Sequence, residues 1–101
     1  MKIMHLISGG DVGGAKTHVL SLLKGLGQTQ TVRLVCFTGG AFADEALEMG
    51  IDTLVMDCGM PEAVRRLSAM IAGEGFEIVH CHGARANMMG AILRRKINVP
   101  I

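Results

Sequence analysis

The sequence predicts an α/β protein built as a doubly wound parallel sheet, and three observations predict it. Short apolar runs rich in β-branched residues alternate with stretches of helical period along the whole chain. A glycine-rich turn follows the first apolar run and opens a helical stretch. Glycine or proline marks several of the joints between these segments, as at Gly50, Pro61 and Gly75. Strands that alternate with helices pair in parallel through right-handed crossovers. The expected sheet order is 3-2-1-4-5, with about four and a half βα units.

Each element has its own justification. KIMHLIS (2–8) reads as a buried strand. From Gly14 to about Leu26, Ala15, Val19, Leu22, Leu23 and Leu26 fall at helical spacing. TVRLVCF (31–37) is a second strand, and AFADEALEM a short helix ended by Gly50. IDTLVMD (51–57) is a third strand. Pro61 stands where a first helical residue belongs, Val64, Leu67, Met70 and Ile71 supply that helix's stripe, and Gly73 and Gly75 close it. FEIVHCH (76–82) is the fourth strand. GARANMMGAILRRK (83–96) is a helix expected to turn Met88, Ala91 and Ile92 inward, after which VPI begins a fifth strand.

The bulk properties fit one small domain: 101 residues, half of them hydrophobic, and a mean hydropathy of +0.41. A net charge of +1 gives no case for nucleic acid as a partner. Arg94, Arg95 and Lys96 read as the last turn of a helix, where cations suit the dipole. Cys36, Cys58 and Cys81 are odd in number and form no C-x-x-C pair, so free thiols in a reducing compartment are expected. No stretch approaches the roughly 18 apolar residues of a membrane span, and MKIMHLI is too short and too interrupted by His5 for a secretory signal. A cytoplasmic protein is the expectation.

The turn GGDVGGAKT (9–17) departs from the phosphate-binding P-loop at one position: Gly10, Lys16 and Thr17 fit, but Ala15 replaces the second glycine. Asp57, after an apolar strand, imitates a magnesium-binding acid. No glycines stand in the i, i+2, i+5 register of the dinucleotide fingerprint. In a doubly wound sheet the first strand-to-helix turn lies at the carboxyl edge, beside the ligand crevice. Gly9, Gly10, Gly13 and Gly14 permit close backbone approach, and the helix behind them presents free N–H groups. An anion, often a phosphate, is the natural occupant. A second constellation is HCHG (80–83). His80 and His82 share one strand face, and Cys81 points away. No further ligand pair is evident, so no metal is expected, and His82 is assigned a hydrogen-bonding role at the crevice. His5 and His18 are expected to be structural or surface residues.

Together, GGDVGGAKTHVLSLLKGL after the first strand and FEIVHCHGARANMMGAILRRKINVPI resemble the N-terminal half-domain of family-four, retaining GT-B glycosyltransferases. Glu77 stands where that family commonly has Asp, and Lys16 where it commonly has Glu or Gln. The resemblance implies a Rossmann-like, acceptor-side domain over 1–101, with the C-terminal donor domain absent. It implies transfer of a sugar from a nucleotide donor with retained configuration, without metal or cofactor, the nucleotide sugar being a co-substrate. Gly13 and Gly14 would face the donor diphosphate, and Lys16, His82, Gly83 and Arg85 would line the acceptor cleft. No catalytic residue is expected within the chain, and the chain alone is expected to be inactive and to pair as a homo-dimer. The parent enzyme is allowed a peripheral membrane association. A P-loop-like NTPase fragment and a non-catalytic α/β binding module are the alternatives.

Overall fold

The computed structural model describes residues 1–10 and 15–101, with side chains in the first helix from His18 onward. The chain alternates strictly: β1 (Lys2–Ile7), α1 (Ala15–Leu26), β2 (Thr31–Cys36), α2 (Ala41–Glu48), β3 (Asp52–Val55), α3 (Met60–Glu74), β4 (Ile78–His82) and α4 (Ala84–Leu93). The four strands form one parallel sheet in the order β3-β2-β1-β4. The doubly wound, Rossmann-like architecture read from the alternation is therefore present, in partial form. Residues 99–101 are not a strand, although the Val79 N–H donates to the Pro100 carbonyl at 2.9 Å on the outer side of β4.

Strand alternation divides the core in two. Met4, Leu6, Val35, Phe37 and Val79 face α3 and α4 and pack with Val64, Leu67, Ile71, Met89 and Leu93. Ile7, Leu34 and Cys36 face α1 and α2 and pack with Val19, Leu20, Leu23, Phe42 and Ala46. The expected stripe of α3 holds, with Pro61 in its first turn and Gly75 at its end. Leu22 on α1 is exposed, and Leu20 takes the inward place expected for it.

The expected inward face of α4 is wrong. Met88 is 58% exposed and Ala91 is exposed, whereas Ala86, Met89, Gly90 and Leu93 are buried and Ile92 packs only partly against the core. This helix is apolar nearly all round, so its periodicity selects no face. The contact with β4 selects it instead: a Cβ on Gly90 would lie 2.7 Å from Cys81 Sγ, so only a residue without one lets the helix sit this close.

All three cysteines are free. Burial pushes the Cys36 thiol up to about 11 and raises that of Cys81, which keeps both protonated at neutral pH. Among the described residues no helix is long and apolar enough to cross a membrane. Charged side chains tie the amino ends of the strands together. Arg33 meets Asp52 at 2.9 Å and Glu74 at 2.8 Å, and Lys2 donates to the Glu74 carbonyl at 2.8 Å. Those groups lie at the opposite end of the sheet from the crevice edge.

Candidate functional site

The carboxyl ends of β1 and β4 are neighbours, with Ile7 opposite His82. Two connections leave from this edge and each enters a helix, α1 at Ala15 and α4 at Ala84. Both helices therefore start at the same carboxyl edge of the sheet, though on opposite faces, and unpaired N–H groups and the positive dipole end favour negative charge there.

Backbone geometry fixes the start of the first connection. Pairing of β1 with β2 continues past both strands: the Phe37 N–H donates to Ile7 at 3.1 Å and the Thr38 N–H to Ser8 at 2.8 Å. Gly9 then turns with φ +82°, and a Cβ there would meet the Thr38 carbonyl at 2.6 Å and Cys36 Cβ at 2.9 Å. Conformation and space both require glycine at this point. Gly13 and Gly14, expected at the anion site, and the side chain of Lys16 lie outside the described residues. Asp57 follows β3, which β2 separates from β1, so it does not stand beside the glycine turn as a P-loop's metal-binding acid would.

The other lip comes from β4 and α4. His82 ends the strand, and Gly83, at φ +91°, reverses the chain into α4. Arg85, in the first turn of α4, reaches over the end of β1. Its Nη1 donates to Thr38 Oγ1 at 3.3 Å, and its guanidinium lies 5.7 Å from the Phe37 ring centroid. The structure thus brings His82, Gly83 and Arg85 to one edge of the sheet and adds Thr38, which the sequence does not single out.

His82 is half-buried and has a partner that the sequence reading placed only as structural. His5 Nδ1 and His82 Nε2 are 2.9 Å apart and share one proton between a donor and an acceptor nitrogen. His5 is 1% exposed, and it stands beside His80 in the β1–β4 register. The three imidazoles stack: His80 and His82 at 4.3 Å between centroids, His5 and His80 at 5.1 Å, and His5 and His82 at 5.2 Å. His80 is exposed. Burial, helped by the neighbouring His82 and His80 charges, lowers His5 to about 4. Burial and then His80 lower His82 as well. Both are therefore neutral at pH 7, the state in which imidazole accepts a proton or a hydrogen bond. His18 is exposed, as expected.

The edge offers a cation held by Thr38, neutral imidazoles and two helix starts at the carboxyl end of a parallel sheet. Residues 13–101 match the protein family described as Glycosyl transferase 4-like domain. Solved structures share the fold. A glycosyltransferase from Rickettsia africae ESF-5 superposes with a TM-score of 0.81 at 15% identity, over 98% of this chain and 28% of that one. Anabaena HepE, in complex with UDP-glucose, superposes with a TM-score of 0.76 at 20% identity, over 99% of this chain and 28% of that one. HepE in complex with UDP and glucose gives 0.73 at 19% identity, over 94% and 27%. The chain thus spans little more than a quarter of the length of these structures. No curated protein matches the sequence.

Proposed function

Because the chain belongs to the glycosyl transferase 4-like family, we propose that it forms the acceptor-side part of a nucleotide-sugar-dependent glycosyltransferase that transfers with retention. The observation that carries this reading is the edge shared by β1 and β4. It gathers His82, Gly83 and Arg85 beside the glycine turn, at the position where an open α/β sheet binds its ligands. That HepE is seen with UDP-glucose supports a nucleotide sugar as donor.

In this reading Gly13 and Gly14 face the donor diphosphate, which suits the positive start of α1. Lys16, His82, Gly83 and Arg85 line the acceptor cleft. The bond from the sugar's anomeric carbon to the diphosphate breaks, and the acceptor hydroxyl oxygen bonds to that carbon on the same face. The nucleoside diphosphate leaves with the electron pair of the broken bond and takes up the proton that the acceptor hydroxyl loses. Neutral His82 is placed to accept the hydrogen bond of the acceptor hydroxyl, and Arg85 supplies positive charge close by. The transfer itself uses no cofactor beyond the nucleotide sugar. The chain alone transfers nothing and pairs through the part of the outer side of β4 that Pro100 leaves uncovered, an edge strand of the kind that recruits another chain.

The test is nucleotide release by the full-length enzyme against a panel of nucleotide sugars, with the anomeric configuration of the product read by NMR. A retained product, and His82→Ala turnover reduced far more than melting temperature, is the expected result. Release from no nucleotide sugar, or an inverted product, would refute the reading.

A further inference from the structure

Sugar transfer as proposed uses His82 and leaves His5 and His80 without a task. Yet one ring nitrogen from each of His5, His80 and His82 lies within 4.8 Å of one from each of the others. Parallel pairing creates the cluster. His5 stands opposite His80, Ile7 stands opposite His82, and the strand period of two turns His80 and His82 to the same side as His5. His5 forms a buried floor, His82 a half-buried wall and His80 an exposed mouth. His5 Nε2, on the other side of the ring from the His82 pair, is buried without a hydrogen-bond partner among the described residues, and it carries the ring's proton when Nδ1 faces an ion.

We propose that His5, His80 and His82 form a binding site for one divalent transition-metal ion of the zinc class. Imidazole nitrogen is the donor that zinc, cobalt, nickel and copper prefer, whereas magnesium and calcium seek oxygen. Three histidines leave a further position to water, as in zinc sites with three protein ligands. Nitrogens about 2.0–2.1 Å from zinc stand roughly 3.3 Å apart in a tetrahedron. The His5–His82 pair, at 2.9 Å, opens by a few tenths of an ångström, and the ion replaces the proton shared there. His80 closes the remaining distance. It is exposed, and among the described residues its side chain is held by ring stacking, so a turn about its side-chain bonds brings its nitrogen in.

Uptake of the ion is measured apart from sugar transfer, which uses His82 in its ion-free state, because a ring bound through Nε2 has no acceptor nitrogen left. The chain is purified without a polyhistidine tag, stripped with EDTA and dialysed. It is then titrated with zinc chloride by calorimetry and with cobalt chloride by visible absorption. One ion per chain at micromolar affinity or tighter is expected. His80→Ala alters an exposed side chain and leaves the fold intact. It should weaken zinc at least about tenfold, as the loss of one of three ligands requires. His18→Ala, an exposed histidine outside the cluster, should leave affinity unchanged. Zinc affinity no tighter than millimolar, or uptake that survives His80→Ala undiminished, would overturn the site.

Discussion

Gly90→Ala is a substitution that ordinary helix rules would recommend and that this structure forbids. Alanine in a helix interior is favoured over glycine by about 1 kcal/mol. Here the new methyl would lie 2.7 Å from Cys81 Sγ and 3.1 Å from Ile101 Cγ2, whereas ordinary contact begins at 3.4 Å. The first contact requires relief of about 0.7 Å, from a thiol already packed against the core. Overpacking of this kind costs about 1–3 kcal/mol. The net expectation is a loss of up to about 2 kcal/mol, centred on about 1 kcal/mol, which is roughly 4–8 °C in melting temperature for a chain of this size. Cys81→Ala removes the obstructing sulfur. In that background Gly90→Ala should be neutral or stabilising, a coupling of about 2 kcal/mol between the two positions. Urea unfolding of the four proteins followed by circular dichroism reads the cycle. An equal cost for Gly90→Ala in both backgrounds, or a gain in the parent chain, would refute the steric argument.

Other consequences can be measured on the same protein. His5 is held near 4, below its ordinary 6.5, so the unfolded chain binds the additional proton; the penalty is absent above about pH 6.5 and complete below about pH 4. Stability in EDTA should therefore fall by about 2 kcal/mol between pH 7.5 and 5, a window above the carboxylates, and His5→Gln should flatten that slope. Gly9→Ala should cost about 3 kcal/mol, from a strained positive φ and a Cβ against the Thr38 carbonyl, visible as a shifted urea midpoint. In the full-length enzyme Arg85→Ala should lower turnover while moving the melting temperature by no more than a surface ion pair does, about 1 kcal/mol at most. Sedimentation at micromolar concentration should show the chain as a dimer; a clean monomer would contradict the edge-strand argument.

Elements were legible wherever one local rule sufficed. The apolar runs of β1, β2 and β4, Pro61 and Gly75 around α3, and the strand–helix alternation that sets the parallel order are all read from neighbours in the chain. The common face of His80 and His82 also follows, since a strand fixes it. The face of α4 does not, because a helix that is apolar nearly all round takes its orientation from Cys81 and Gly90, nine residues apart and on different elements. His5 was the third member of the histidine cluster, yet it lies 77 residues from His82 and joins it only through strand register. The signal was available in principle: with β1 beside β4 in the expected order, a histidine in β1 pairs with one of two strand faces in β4. Thr38, 47 residues from Arg85, carried no such signal, because it belongs to a connection rather than to a strand.

The long bond from Arg85 to Thr38 has a consequence for how ligands are met. An arginine free in solvent explores many rotamers, and fixing such a side chain on binding costs about 0.5–1.5 kcal/mol. Here the guanidinium is already drawn across the mouth of the crevice by a hydroxyl at 3.3 Å and a ring face at 5.7 Å. Much of the ordering is thus complete before any ligand arrives. The hydroxyl tether is also neutral and stretched, so a charged oxygen displaces it at little cost, since bonds between ionised partners are roughly twice as strong. Thr38 therefore acts as a rest for the arginine, holding it aimed but not occupied. Thr38→Val keeps the bulk and removes the rest, and it should weaken anion binding several-fold while Arg85 itself remains. Identical affinity in Thr38→Val would show that the guanidinium needs no holder.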